Sequence, residues 1–297
     1  MAQVKPALDY PEQIEKLKND HHLLINDEEN ALKILKQVNY YRLSGYGIGL
    51  KEKDNKEYYM PGISIDHLFR LYNFDSLFRN ILIHTIEQIE IQLRTQISNF
   101  LALKYGSEGY MIIDNFIDKR RTSDNATYHS IVLESFKKEI DHQKNAPMVI
   151  HHKKKYNGHF PIWVAVELFT FGNLSSLFNI MKKDDRKSIA RLYNTEPDYL
   201  GSWILALVEI RNICAHYSRL YNMPLKQRPH LYSEYQRFQS STINKVFPSL
   251  ITIKRMLNSD DRWTAFETEL EKLIDEYNDV VILSYMGFPK EWKDILT

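Results

Sequence analysis

Apolar residues recur at intervals of three and four along most of the chain, and the alternation typical of β-strands is rare. This period places apolar side chains on one face of an α-helix, so the pattern predicts an all-α fold. Only ten glycines and ten prolines occur among the 297 residues, which leaves long uninterrupted stretches for helices.

The longest periodic stretch follows Ser64, a good helix-capping residue, and reaches about Lys104. Because about forty residues is long for one globular helix, the pattern predicts a break near residues 73–75. Other helices are predicted to start near Asp9 and near 26–29, and to cover 128–143, 161–181 with an interruption near Gly172, 184–193, 197–222, 241–257 and 261–277. Loops are predicted at 105–128 and 224–240, and a polar segment follows the helix 128–143 at residues 144–159.

The chain shows no internal repeat, no low-complexity tract and no clear interdomain linker. We therefore predict one α-helical domain over residues 1–297. It would comprise an N-terminal helical extension at about 1–50, a core at about 64–225 and C-terminal helices at about 241–297.

The composition is that of an ordinary soluble chain, with 43% hydrophobic and 26% charged residues and a net charge of +1. No apolar run approaches the roughly 20 residues that a membrane helix needs, and the N-terminal stretch lacks the apolar core of a secretion signal. The single cysteine, Cys214, excludes an internal disulfide and fits a reducing compartment. We expect a cytoplasmic protein that does not associate with membranes.

The segment 209–222 carries many polar residues inside an otherwise apolar predicted helix. At about 100° per residue, Glu209, Asn212, His216 and Arg219 fall along one stripe of that helix. Burying such groups without partners costs roughly 1–3 kcal/mol each. The stripe must therefore face solvent, a partner helix or a ligand.

Arg211 and His216 have the chemistry that metal-independent RNA cleavage requires. A base removes the proton of the ribose 2′-hydroxyl, an acid protonates the leaving oxygen, and a cation stabilises the charge on phosphorus. Imidazole suits the proton transfers because its pKa lies near ~6.5, and guanidinium suits the phosphate. No metal or cofactor is needed because the nucleophile belongs to the substrate. Asn212 would orient either side chain.

Residues five apart lie about 140° apart on an ideal helix, which separates Arg211 from His216. A second copy of the helix across a two-fold axis would bring both residue types into one cleft, so we expect a homodimer. The alternative, which the spacing leaves open, is that Arg211, Asn212 and His216 form a hydrogen-bonded polar layer between packed helices.

Other residues are candidates for a wider site. Arg79 and His84 repeat the same spacing and form a candidate second half-site, although the apolar neighbours of His84 favour a structural role. Tyr40, Tyr41, Arg42 and Tyr46 form an aromatic and basic patch that would stack RNA bases, or else pack beneath a turn. The candidate RNA-binding residues are Arg219, Tyr221, Tyr41, Arg42, Lys153, Lys154 and Lys155.

Three separated stretches, at 5–46, 86–106 and 161–222, resemble the Abi family of bacterial abortive-infection proteins (the AbiD/AbiF-like group). They include Asn39-Tyr40-Tyr41-Arg42-Leu43-Ser44-Gly45-Tyr46, Ile86-Glu87-Gln88-Ile89-Glu90-Ile91-Gln92-Leu93-Arg94 and Arg211-Asn212-Ile213-Cys214-Ala215-His216. The stretches occur in the order typical of the family, and their combination is specific although no single piece is.

The resemblance implies a HEPN-like helical bundle that defends against phage as an RNA-cleaving toxin. It also implies a homodimer and, in some relatives, a small regulatory non-coding RNA as partner. The family's Arg-x4-6-His motif corresponds to Arg211 and His216, with Asn212 as the intervening polar residue; a histidine at position 84 is not expected. A non-catalytic RNA-binding module, or a toxin silenced by modification of Tyr217 or Tyr221, remains an alternative.

Overall fold

The computed structural model describes residues 6–238, 244–257 and 259–296. Helices, short 3-10 turns included, make up 66% of these residues, and no strand or sheet occurs among them, which confirms the all-α prediction. The helices are α1 (Tyr10–Asn19), α2 (Glu28–Gln37), α3 (Tyr40–Ser44), α4 (Ile65–Tyr105), α5 (Tyr128–His142), α6 (Pro147–Lys155), α7 (Ile162–Ala165), α8 (Phe171–Ile180), α9 (Lys183–Arg191), α10 (Pro197–Ala215), α11 (Phe247–Leu257), α12 (Asp260–Glu276) and α13 (Trp292–Leu296).

The 41-residue helix α4 is the central element of the fold. Helices α10, α12, α7 and α11 pack along it, and its start is capped by the Ser64 hydroxyl, which accepts the amide of His67 at 3.1 Å. The predicted break near residues 73–75 is wrong, because the helix continues through Phe74 and Asp75, both fully buried. Packing against several neighbouring helices supplies most of the stability of this helix, as for helices in proteins generally.

The N-terminal helices begin where the sequence predicts. Asp9 and Glu12 form a reciprocal capping box at the start of α1, and the side chain of Asp27 caps α2. Both carboxylates accept backbone amides that have no partner inside the helix, and their charge is favourable at a helix N-terminus. Helix α1 packs on α2, which in turn contacts α4.

Two predicted segments differ from the structure in the middle of the chain. The polar segment 144–159, where the sequence pattern predicted no helix, contains α6, which begins at Pro147 without a side-chain cap. The predicted helix 161–181 is divided into α7, a short 3-10 turn and α8, with the division at Phe169 and Thr170 rather than at Gly172. The Thr170 hydroxyl accepts the Asn173 amide and starts the new helix.

The C-terminal helices cover the predicted regions with small changes. Helix α11 begins at Phe247, and residues 241–243 of its predicted range lie outside the described residues. The last helix, α13, was not predicted; the carbonyl of Leu296 at its end accepts hydrogen bonds from Lys254 and Trp263. Among the helices that the structure describes, none combines the length and the apolar character needed to cross a bilayer.

Candidate functional site

Helix α10 ends at Ala215, so the predicted continuation to residue 222 is wrong. Tyr217 adopts a left-handed conformation with φ of 55°. The amides of Tyr217 and Ser218 donate to the carbonyls of Cys214 and Ile213 at 3.1 and 3.0 Å. This double hydrogen bond is a Schellman motif, which closes a helix and redirects the chain. His216 therefore occupies the C-cap position, and Arg219 does not share a helical stripe with Asn212.

The chain after the turn is held by a buried carboxylate on α4. Asp75, fully buried, accepts the amides of Leu220 at 3.0 Å and Tyr221 at 2.6 Å. It also accepts the Tyr46 hydroxyl at 2.8 Å and the Arg79 guanidinium at 3.2 Å. With four donors around it, this carboxylate fixes the path of the chain beyond the motif.

These contacts correct two sequence-based predictions. Tyr221 is buried, and its hydroxyl accepts the Ile282 amide at 3.0 Å, so its ring does not face a ligand. Arg79 is buried against Asp75, whereas His84 is exposed and contacts Gln88 at 3.3 Å. The two side chains of the candidate second half-site have different surroundings, and the structure does not bring them together.

A second buried carboxylate on α4 contacts the motif itself. The Nε atom of Arg211 lies 3.4 Å from Oε2 of Glu90. The other carboxylate oxygen of Glu90 accepts a hydrogen bond from Arg94, which also donates to the carbonyl of Val166. Glu90 thus bridges two guanidinium groups and limits the positions that the Arg211 side chain can adopt.

The sequence pattern did not identify Asp75, Glu90 or Arg94 as part of the site. A signal was present: α4 contains two acid–arginine pairs with a spacing of four, Asp75–Arg79 and Glu90–Arg94, inside a strongly apolar stretch. Ionic pairs at buried helix positions are rare unless a partner compensates their desolvation. Here the partners are the segments that flank His216.

Asn212 and His216 are exposed to solvent, and the side chain of Arg211 is 36% exposed. The backbone amide of His216 donates to the carbonyl of Asn212 at 3.0 Å, as the final turn of α10 requires. The exposure of these side chains argues against a sealed polar layer between helices. Glu209 has a separate structural role, since its carboxylate accepts the amides of Lys226 and Gln227.

A cleft of about 680 Å³ lies beside the turn that follows His216, between α3 and residues 218–219. Its lining includes Tyr41, Arg42 and Arg219, so the structure brings together three of the predicted RNA-binding residues. Arg42 donates to the carbonyl of Tyr217. Tyr46, which the sequence placed in the same aromatic patch, is buried and does not contribute to the surface.

The basic residues of α6 lie apart from this cleft. Lys153, Lys154 and Lys155 are exposed at the end of α6 and do not line the cleft. His152 stacks on Phe160 in the adjacent core, with ring centroids 5.1 Å apart. Among the described residues, no group of three or more His, Cys, Asp or Glu side chains is arranged to hold a metal ion.

Cys214 does not take part in the exposed site. Its side chain is buried, and burial raises the pKa of the thiol to about 12. A thiol with such a pKa is not a nucleophile near neutral pH. Cys214 is therefore a core residue and not half of a thiol–imidazole dyad with His216.

The family model described as "Abi-like protein" matches residues 33–222. This chain belongs to the Abi-like protein family. The matched region extends from α2 to the residue after Tyr221 and therefore includes α4, α10 and the Arg211–His216 segment. No curated protein and no solved structure matches the chain. Membership of the Abi-like family supports a function related to abortive infection and phage defence.

Proposed function

We propose that this Abi-like protein is an endoribonuclease of the HEPN type that cleaves RNA without a metal ion during abortive infection. The observation that carries the proposal is the arrangement at the end of α10. Arg211, Asn212 and His216 are all accessible there. Of two buried carboxylates on α4, Glu90 contacts the Arg211 side chain and Asp75 holds the chain that follows His216.

The reaction is an internal transfer. The 2′-hydroxyl loses its proton to a base, its oxygen bonds to the adjacent phosphorus, and the bond from phosphorus to the 5′-oxygen breaks as an acid protonates that oxygen. The products are a 2′,3′-cyclic phosphate and a 5′-hydroxyl. His216 transfers protons, and its C-cap position places the imidazole beyond the last helical residue.

Arg211 stabilises the negative charge that develops on the phosphoryl oxygens. Its Nε is directed to Glu90, and the exposed part of the guanidinium meets the phosphate. Asn212 contributes a neutral donor and acceptor beside these groups. Because one chain supplies a single His216, a second copy in a homodimer would supply the second imidazole, one acting as base and the other as acid.

A second candidate function is RNA binding without cleavage. It is favoured by the Glu90–Arg211 contact, since a guanidinium that is already paired stabilises a developing charge less well. In that case the same surface would bind an RNA backbone, such as that of a regulatory non-coding RNA.

The two functions are separated by incubating the purified protein with single-stranded RNA in excess EDTA and identifying the product ends. We expect cyclic phosphate and 5′-hydroxyl ends, with a rate about 10²–10⁴-fold lower for His216→Ala. His84→Ala is the matched control, because His84 is also exposed and has the same sequence spacing from an arginine. Equal rates for wild type and His216→Ala would remove His216 from the mechanism; binding without products would support the second function.

A further inference from the structure

The cleft beside α3 has features of a nucleotide site that the cleavage chemistry does not use. Two arginines, Arg42 and Arg219, lie in its wall, and no Asp or Glu is among its described lining residues. Arg219 packs against Gly45, where a methyl group in place of the glycine hydrogen would lie 3.6 Å from the Arg219 Nε. A cleft with two cations and no carboxylate attracts an anion.

Both guanidinium groups are held in place by backbone carbonyls. Arg42 donates to the carbonyl of Tyr217, and Arg219 donates to that of Tyr221 at 2.8 Å. Lys245 adds a positive charge near Arg219. The pKa of its ammonium group is lowered, chiefly by burial and secondly by the charge of Arg219. Each arginine has five donors, so one carbonyl contact leaves others for a phosphate.

An exposed aromatic ring completes the cleft. Tyr41 is 86% exposed, and it lines the same cleft as the arginines. A tyrosine left so exposed on a short helix contributes little to the core. Proteins that bind single strands combine such rings, on which bases stack, with cations that follow the backbone.

We infer that the α3 cleft binds one unpaired nucleotide of a single-stranded RNA, with its base on Tyr41 and its phosphate at Arg42 and Arg219. The inference rests on the proposed function for the identity of the ligand. Because Arg42 contacts the residue directly after His216, the bound nucleotide lies next to the phosphate that is cleaved. The bound RNA strand would therefore cross the turn at Tyr217. Paired RNA would be a poor ligand, because its bases are not free to stack on Tyr41.

Binding is tested with the full chain and a fluorescent 2′-O-methyl RNA single strand, whose blocked 2′-oxygen cannot attack phosphorus. Tyr41→Ala should weaken binding about 5- to 150-fold, which corresponds to the loss of one stacked base. Tyr41→Phe retains the ring and should bind like wild type. Tyr10→Ala, another exposed tyrosine, on α1, is the matched control.

Charge is tested separately with Arg42→Gln, which keeps a donor for the Tyr217 carbonyl and removes the cation. The dependence of log affinity on log salt should become shallower by about 0.7 for the one lost phosphate contact. Equal binding of Tyr41→Ala and Tyr10→Ala, or equal competition by a duplex of the same sequence, would overturn the inference. Neither binding measurement needs catalysis, so the two proposals can fail separately. Binding through Tyr41 without any cleavage product would refute only the nuclease proposal. Cleavage that does not depend on Tyr41 would refute only the proposal that the α3 cleft binds a nucleotide.

Discussion

The carboxylate of Glu90 on α4 lies 3.4 Å from the guanidinium of Arg211 on α10, with the Glu90 side chain only 9% exposed. The same carboxylate pairs with Arg94, one turn further along α4. A buried acid between two arginines offsets part of their positive charge and limits their positions, because taking either charge out of water requires a partner. The position of the partly exposed Arg211 guanidinium thus depends on Glu90, a buried residue of another helix.

Replacing Glu90 should therefore destabilise the fold. Glu90→Gln leaves Arg94 buried without a counter-charge, and breaking a buried ion pair in this way costs about 3–5 kcal/mol. The free energy of unfolding, measured by urea denaturation, should fall by about that amount. Glu87→Gln is the matched control on the exposed face of the same helix, and an equal loss for both variants would show that the pair contributes nothing.

Local signals predicted the starts of helices well. Ser64 caps α4 as expected, and Asp9 and Asp27 cap helices that start where the sequence predicts. Such starts can be read from sequence because a cap needs only a polar side chain and the amides two or three residues on. The continuity of α4 through Asp75 was missed, because the donors to that carboxylate come from Leu220 and Tyr221, far away in sequence. The spacing of hydrophobic residues along the chain carries no information about hydrogen-bond partners that are distant in sequence.

The candidate site shows the same division between local and distant information. Arg211, Asn212 and His216 are neighbours in sequence, so their residue types alone made them candidates. The end of α10 was misplaced because Tyr217 takes the left-handed conformation that usually requires glycine. The role of Glu90 was missed because α4 meets α10 only in the folded chain.

Asp75 is the second carboxylate on which the motif depends. The Asp75 carboxylate accepts four hydrogen bonds, and the amide of Asp75→Asn cannot accept them all. The variant also leaves the Arg79 guanidinium buried without a counter-charge. We expect a loss of about 3–5 kcal/mol in the free energy of unfolding. Native-state hydrogen exchange should also become faster at the amides of Leu220 and Tyr221.

Asp54→Asn is the control for this variant, since Asp54 is exposed in a loop. Exchange at the amides early in α10, such as that of Trp203, reports on global unfolding. The predicted global loss also accelerates exchange at Trp203, so the amides of Leu220 and Tyr221 should accelerate more than that of Trp203. Equal acceleration at all three would contradict a particular effect of Asp75 on the segment after His216.

The buried thiol of Cys214 predicts a pH dependence of stability. Its pKa is raised to about 12 in the folded protein and lies near 8.5 in an unfolded chain. Only the unfolded state loses this proton between pH 8 and 10, so the contribution to stability is present below about pH 8.5 and declines as pH rises. The integrated loss over this interval is about 2 kcal/mol.

The measurement compares urea denaturation of wild type and Cys214→Ala at pH 8 and pH 10. The variant lacks the thiol and should lose about 2 kcal/mol less over this interval, whatever its stability at pH 8. Labelling with a thiol reagent at pH 8 provides an independent check, because the native protein should react only as fast as it unfolds. Parallel pH curves for both proteins would contradict a buried, protonated Cys214.

Tyr217 carries a backbone conformation that is costly for its residue type. With φ of 55°, it occupies the C′ position of the Schellman motif, where glycine avoids a clash of roughly 1–2 kcal/mol. Tyr217→Gly should stabilise the protein by up to about 1 kcal/mol, since the greater entropy of glycine in the unfolded chain offsets part of the gain. Tyr217→Ala removes the same exposed ring but keeps the strain, so it should not stabilise. Thermal and urea denaturation of the two variants therefore isolate the backbone effect, and equal stability of the glycine and alanine variants would mean that the turn after His216 is not strained.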